Sequence, residues 1–252
     1  MRNIRLISRL DVKMDWLIKG VQMEGWRKVG KPEDFAKMYA HEGADELLFM
    51  DVVASLYDRN NLQDVIRKVA SSVFIPMTVG GGIRSTEDVR EILACGADKV
   101  AINTAATRDP ELINEIASLF GSQATVVSIE AINQGNQWLA MTDNGRNHTG
   151  LNVIDWAKQA ESRGAGEIIL TSIDRDGLGN GLDIKLIKSV ADAVNIPVVC
   201  GGGFGDKSHL SEAIDNTQVS AVSIAQALHW KKLTISELRE VLIKKNCFVR
   251  KI

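Results

Sequence analysis

Apolar and polar residues follow two alternating patterns along this chain. Short, nearly continuous apolar runs are typical of strands that are buried on both faces. Such runs predict eight strands, near residues 4–10, 46–51, 76–79, 99–103, 124–130, 167–172, 197–200 and 219–224. The stretches between them have a helical period, and the predicted helices include residues 31–43, 86–95, 152–164 and 183–194. Strands that alternate with helices of this length indicate a parallel sheet.

A long internal repeat extends this pattern. Residues 75–82 (IPMTVGGG) return 121 residues later as residues 196–203 (IPVVCGGG), and residues 43–48 and 164–169 match at the same offset. Because repeats of this length are too large for solenoid units, each is predicted to be a half-domain of four strand–helix modules. Two such halves in a chain of 252 residues predict an α/β fold, a single (β/α)8 TIM barrel domain over residues 1–252.

Two carboxylates are the candidate catalytic pair. In such barrels the chemistry lies on the loops at the carboxyl ends of the strands. Asp11 and Glu130 end strands 1 and 5, which are equivalent positions of the two halves, so we expect them to face each other across the barrel mouth. Two carboxylates in a partly desolvated mouth can differ in pKa and serve as base and acid. The alternative is that each accepts backbone N–H bonds from the following loop.

The glycine-rich turns are candidate anion sites. Glycine lets the backbone approach a ligand closely, and exposed N–H groups can hold a phosphate. Phosphate sites after strands 7 and 8 are frequent in this architecture, and the repeat predicts a second site after strands 3 and 4. The residues of the two sites are Gly81, Gly82, Asn103 and Thr104 in one, and Gly202, Gly203 and Gln226 in the other. The alternative is that these glycines serve only the turn geometry.

Two further features remain open on residue pattern alone. The segment from Asp11 to Gly30 is too long for a plain turn and is predicted to be a loop that acts as a lid, in which Lys19 either neutralises a phosphate or is solvated. Residues 131–148 are polar, with Asn144-Gly145 as a candidate hairpin turn. At the opposite face, four of the predicted strands begin with a charged residue: Arg5, Glu46, Lys99 and Glu167. One interpretation is that these residues form solvent-exposed ion pairs.

Composition excludes several classes of function. The net charge of −2 gives no indication of a nucleic-acid or membrane-surface partner. Three cysteines without CxxC spacing fit a reducing compartment, and no apolar run spans a bilayer, so we expect a soluble, cytoplasmic protein. The four histidines have no ligand spacing, and GxSxG and HExxH motifs are absent, so neither metal nor serine-hydrolase chemistry is expected. No cofactor is predicted.

Several stretches together resemble a known family along essentially the whole chain: Leu10–Lys13, Thr78–Ile83, Lys99 with Ile102–Ala106, Gly121–Ala124 and Thr171–Gly177. They are similar to the cyclase subunit of imidazole glycerol phosphate synthase. The resemblance implies a lyase of histidine biosynthesis, which pairs with a glutaminase subunit in a heterodimer. Ammonia from that partner attacks a ribulosyl-aminoimidazole-carboxamide nucleotide with two phosphates. The products are imidazole glycerol phosphate and an aminoimidazole carboxamide ribotide.

The resemblance also assigns roles residue by residue. Asp11 matches one catalytic aspartate of the family, and Glu130 stands where the second is expected. Lys19, Thr171 and Asp176 fall among the substrate-binding residues. The four charges at the strand beginnings match the family's ammonia gate: Arg5, Glu46, Lys99 and Glu167. Asp98 matches a contact to the glutaminase.

Departures from the family keep alternatives open. Arg9 replaces a cysteine, and Gly201 and Gln226 replace serines at the second phosphate site. These departures also resemble a divergent branch of the family, associated with surface-polysaccharide (O-antigen) genes, which passes ammonia to a sugar amidotransferase and does not make histidine. The second interpretation is therefore an ammonia conduit of that kind, and the third is a phosphosugar isomerase of the sister family.

Overall fold

A computed structural model describes residues 2–54 and 62–251 of the chain. In chain order the strands are β1 (Arg5–Lys13), β2 (Trp16–Val21), β3 (Glu24–Gly30), β4 (Glu46–Asp51), β5 (Met77–Gly80), β6 (Lys99–Ile102), β7 (Thr125–Gln134), β8 (Gln137–Thr142), β9 (Asn147–Asn152), β10 (Glu167–Ser172), β11 (Val198–Gly201) and β12 (Ala221–Ile224). The helices are α1 (Pro32–Glu42), α2 (Gln63–Ala70), α3 (Thr86–Ala94), α4 (Thr104–Arg108), α5 (Glu111–Phe120), α6 (Val153–Ser162), α7 (Ile184–Ala191), α8 (Lys207–Asn216), α9 (Gln226–His229) and α10 (Ile235–Lys244). A short 3-10 turn covers Ser122–Ala124.

Eight parallel strands close into a barrel in the order β1-β4-β5-β6-β7-β10-β11-β12. Closure is made by β12 and β1, whose register begins with Arg5 opposite Ala221. Helices lie between consecutive barrel strands. The prediction of a (β/α)8 TIM barrel is therefore confirmed, and each predicted strand corresponds to one of these eight.

The barrel strands are buried on both faces, which explains their continuous apolar sequence. In β4, for example, all six residues from Glu46 to Asp51 are buried. Alternate side chains pack outward under the helices or inward into the barrel. The inward apolar residues form a separate cluster inside the barrel: Ile7, Leu48, Met50, Ala101, Val126, Ile169, Val199 and Ala221.

Local signals in the sequence place the helix ends. Pro32 starts α1, and Gly43, with a φ of 97°, ends it in the left-handed conformation that glycine adopts readily. Ser85 caps α3 through a reciprocal capping box with Asp88. No helix of the described residues is long and apolar enough to cross a membrane.

Two hairpins rise from the carboxyl ends of the barrel strands. The segment predicted as one long loop is instead an antiparallel pair, β2 and β3, which continues from β1. Its strand alternation is hidden in the sequence by Gly20, Gly25 and the buried Lys19. The second hairpin, β8 and β9, turns at Asn144-Gly145 with φ of 57° and 76°, so that predicted turn is confirmed.

Candidate active site

The carboxyl ends of the eight barrel strands form a mouth that holds both candidate carboxylates. Asp11 and Glu130 are both buried, at 5% and 6% exposure. Glu130 borders a cavity of about 300 Å³, and Asp11 borders a much smaller one beside it. Arg9 borders both cavities, and its positive charge acts on both carboxylates.

Asp11 belongs to a buried network of ion pairs. Arg9 Nε donates to Asp11 Oδ1 at 2.8 Å, and Lys19 Nζ lies 3.5 Å from Asp11 Oδ2. Lys19 also donates to both carboxylate oxygens of Asp176, at 3.0 and 2.9 Å. Arg9 Nη1 donates to Thr171 Oγ1 at 2.9 Å. Lys19 is therefore a paired, buried residue and not a solvated loop lysine.

The two carboxylates differ in protonation. Burial alone would raise the pKa of Asp11, but the Arg9 and Lys19 charges outweigh it and hold that pKa below its ordinary value. Burial raises the pKa of Glu130 to about 7, although the Gly145 N–H donates a hydrogen bond of 2.8 Å to the carboxylate and acts to lower that pKa. Near neutral pH, Asp11 is thus an anion and Glu130 still carries its proton in part. One group can accept a proton while the other donates one.

The 300 Å³ cavity is also where the first predicted anion site lies. Gly81 and Gly82 have φ of 98° and 75°, and a Cβ on Gly81 would lie 2.3 Å from the Asp51 carbonyl oxygen. Only glycine therefore fits this turn. Asn103 Nδ2 donates to the Met141 carbonyl oxygen at 3.2 Å, and the following residue, Thr104, also borders the cavity.

Sequence reasoning missed two arginines at this cavity. Arg84 lies two residues after the last glycine of the turn and Arg108 ends α4, and both border the cavity. Arg84 Nη2 donates to the Ala54 carbonyl oxygen at 3.1 Å, and Arg108 lies 3.5 Å from Asp143. The position of Arg84, three residues after Gly81, was the one signal available in the sequence.

The second predicted anion site is much smaller. A Cβ on Gly202 would lie 2.4 Å from the Ser172 carbonyl oxygen, which mirrors the first turn. The cavity beside Gly202 and Gly203 has a volume of only about 20 Å³. Gln226 borders it, donates through Nε2 to the Gly177 carbonyl oxygen, and leaves its buried Oε1 without a partner among the described residues. The glutamine therefore occupies space that a smaller side chain would leave open.

The difference in volume predicts the order in which the two sites bind anions. Phosphate or sulfate should occupy the Gly82–Asn103–Thr104 site first in a crystal soak, since Gln226 must give up its bond to Gly177 before an anion enters the other site. Gln226→Ser, with its compact hydroxyl donor, should bring occupancy of the second site close to that of the first. Anion found only beside Gly202 and Gly203 in the unchanged protein would contradict this ranking.

The four charges at the strand beginnings form one ring at the barrel's lower face, where the amino ends of the strands lie. Arg5 contacts Glu46 at 2.6 Å and also Glu167. Lys99 contacts the same two carboxylates at 3.1 and 2.9 Å. Because β10 and β1 are separated by two other strands, Arg5 and Glu167 meet only by pointing into the barrel. The four residues therefore form one connected ring of ion pairs, and the interpretation as separate, solvent-exposed ion pairs is wrong.

The ring and the mouth are connected by the barrel interior. The next inward residues on the four strands are apolar: Ile7, Leu48, Ala101 and Ile169. Asp98 lies beside Lys99 at the lower face, is exposed, and accepts the Met77 N–H at 2.8 Å. The roles of the ring as an ammonia gate and of Asp98 as a partner contact remain predictions.

Comparison with known proteins identifies the family. Residues 5–234 match the family model described as histidine biosynthesis protein. The imidazole glycerol phosphate synthase subunit HisF of Legionella pneumophila is 58% identical over 206 residues, which cover 81% of this chain and 97% of that protein. The corresponding subunit of Prochlorococcus marinus (strain MIT 9211) is 44% identical over 252 residues, which cover 99% of this chain and 98% of that protein. With a barrel of this topology and a match over most of its length, the chain belongs to the histidine biosynthesis protein family.

Proposed function

We propose that this chain is the cyclase subunit of imidazole glycerol phosphate synthase, a lyase that uses ammonia to convert a ribulosyl-aminoimidazole-carboxamide nucleotide. The observation that carries the proposal is the mouth itself, in which an ionised Asp11 and a Glu130 with a raised pKa, partly protonated near neutral pH, occupy equivalent ends of the two half-barrels. The relatives at 58% and 44% identity carry the same subunit name. No observation favours the conduit or isomerase alternatives.

The two carboxylates supply the proton transfers that the reaction needs. When ammonia attacks the ketone of the ribulosyl group, a proton must reach the carbonyl oxygen and another must leave the nitrogen. Glu130, which is partly protonated near neutral pH and borders the larger cavity, is the acid for the first transfer. Asp11, held as an anion, is the base for the second. The 300 Å³ cavity with Gly82, Asn103 and Thr104 binds one phosphate of the substrate.

The partner and its ammonia belong to the other face. A glutaminase docks over the charged ring, with Asp98 at the contact, and forms a heterodimer with this chain. Ammonia as neutral NH₃ avoids the desolvation cost that excludes ammonium from an apolar interior. In the structure all four charges of the ring are mutually paired, so the ring must open for NH₃ to pass. The buried, unpaired cysteines fit a cytoplasmic location.

The raised pKa of Glu130 predicts a pH dependence. The turnover number, measured at a fixed concentration of NH₃, should be level between the lowered pKa of Asp11 and about pH 7, and should fall about tenfold per pH unit above pH 7, because the acid loses its proton there. Glu130→Gln should lower the turnover number and remove this alkaline limb, since an amide does not titrate. A wild-type rate that stays level at fixed NH₃ up to pH 9 would contradict the role of Glu130 as the acid.

Complementation tests the proposed function. The chain should restore growth without histidine to a bacterium that lacks its own cyclase subunit, on medium rich in ammonium so that glutaminase pairing is not required. Asp11→Asn is the matched inactive control. Failure of the wild-type chain at normal expression, with a known cyclase subunit active in the same strain, would count against the proposal.

A further inference from the structure

Arg9 is the residue of the mouth for which the family resemblance offers no role, since it stands where the family has a cysteine. We propose that Arg9 is a positioning residue of this active site, whose guanidinium fixes the Asp11 carboxylate in one orientation and keeps it ionised for proton transfer. The inference rests on the proposed function and adds to it a residue that sets the state of the base.

The geometry of the guanidinium supports this role. Arg9 is 8% exposed and binds in two directions, through Nε to Asp11 Oδ1 at 2.8 Å and through Nη1 to Thr171 Oγ1 at 2.9 Å. Thr171 lies on β10, so the guanidinium is held between β1 and β10 across the mouth. A planar group held at two points cannot rotate freely, and the carboxylate that it binds is held with it.

The other charges around Asp11 leave Arg9 as its principal partner. The titratable groups facing Asp11 come from several elements: Arg9 on β1, Lys19 on β2, Glu130 on β7, Asp176 after β10 and His229 on α9. Lys19 is closer to Asp176, at 2.9 Å, than to Asp11, at 3.5 Å. Burial lowers the pKa of His229 to about 4, so its ring is neutral at pH 7. Without Arg9, two buried carboxylates would share one ammonium group.

Arg9 also acts on the acid of the pair. Its charge partly offsets the burial that raises the pKa of Glu130. Arg9 borders both the 300 Å³ cavity and the small cavity beside Gly203, so it lies between the two predicted anion sites. Its Nη2 group has no hydrogen-bond partner within residues 2–54 and 62–251. Removing the Arg9 charge should therefore displace the pKa values of base and acid in the same direction.

Two variants separate charge from geometry. Arg9→Cys introduces the family residue and removes the charge, and Arg9→Lys keeps the charge but loses the two-point contact. The turnover number with ammonia, measured against pH at fixed NH₃, falls at low pH when Asp11 is protonated and at high pH when Glu130 is deprotonated. In Arg9→Cys, the fall at low pH should move upward by about one to three pH units, and the fall at high pH should move upward as well. Arg9→Lys should keep both limbs near their wild-type positions and lower kcat by about a hundredfold, with KM little changed.

A second measurement is independent of turnover. The ¹³C resonance of the Asp11 side-chain carboxyl should titrate at a higher pH in Arg9→Cys than in the wild type and stay close to the wild-type value in Arg9→Lys. Thermal unfolding identifies any variant that has lost its fold. If one variant is unfolded, the other is compared with the wild type alone. Unchanged limbs and an unchanged Asp11 titration in a folded Arg9→Cys protein would overturn the inference. A wild type without turnover would count against the proposed function, while the ¹³C titration would still decide the role of Arg9.

Discussion

Asp11→Asn is expected to lower the ammonia-dependent turnover number by about 10²- to 10⁴-fold while the barrel stays folded. Asparagine has nearly the same shape as aspartate and can still accept the 2.8 Å hydrogen bond from Arg9 Nε. It cannot accept a proton from the attacking nitrogen, because a neutral amide oxygen is a very weak base. Steady-state kinetics with ammonium salt, together with thermal unfolding, measures the two effects separately.

Two controls support the interpretation of this variant. Asp64→Asn makes the same chemical change at an exposed carboxylate of α2, whose side chain is 86% exposed, and should leave turnover unchanged. Glu130→Asp restores the family residue at the acid position and should hold or raise the rate. A folded Asp11→Asn protein with the wild-type turnover number would exclude Asp11 as the base.

Lys99→Ala is expected to separate glutamine-dependent from ammonia-dependent activity in the complex with a glutaminase. Lys99 joins Glu46 and Glu167, so its removal leaves Arg5 as the one cation facing both carboxylates in the ring. A ring with excess negative charge should disturb the passage of NH₃ and the contact with the partner. A coupling of about 1–3 kcal/mol between the two active sites corresponds to a loss of about 5- to 150-fold in the glutamine-dependent rate.

The ammonia-dependent rate of Lys99→Ala should remain close to the wild-type rate, because Asp11 and Glu130 lie at the other end of the barrel. Lys188→Ala is a matched control, since it breaks an exposed ion pair with Asp192 on the outer surface. Both glutamine- and ammonia-dependent rates should be unchanged in that control. Equal losses of both rates in a folded Lys99→Ala protein, or no loss of either, would contradict the role of the ring as a gate.

The fold was predictable because its signals are local and repeated. Eight apolar runs and the 121-residue repeat identify the barrel, and closure of the barrel then brings the equivalent strand ends that carry Asp11 and Glu130 into one mouth. The ring of charges follows from position as well, since inward residues at strand starts must share the lower face.

The pairing of side chains within the site was not predictable in the same way. Lys19 became a buried partner of Asp176 only because β2 and β3 form a hairpin, and Gly20, Gly25 and Lys19 itself hide the strand alternation of that hairpin in the sequence. The position of Arg9 against Thr171 depends on the distance across the closed mouth, which no sequence spacing encodes. The bond from Gln226 to Gly177 likewise joins segments that are far apart in the chain.

The ammonia-dependent cyclisation proposed for this chain can be measured by incubating the purified chain alone with the ribulosyl nucleotide and ¹⁵N-labelled ammonium. Mass spectrometry and ¹⁵N NMR of the products identify where the label goes. A cyclase subunit should form equal amounts of imidazole glycerol phosphate, with one ¹⁵N in its imidazole ring, and unlabelled aminoimidazole carboxamide ribotide. Recovery of the nucleotide unchanged, under conditions in which a known cyclase subunit converts it, would show that this chain does not catalyse the cyclisation.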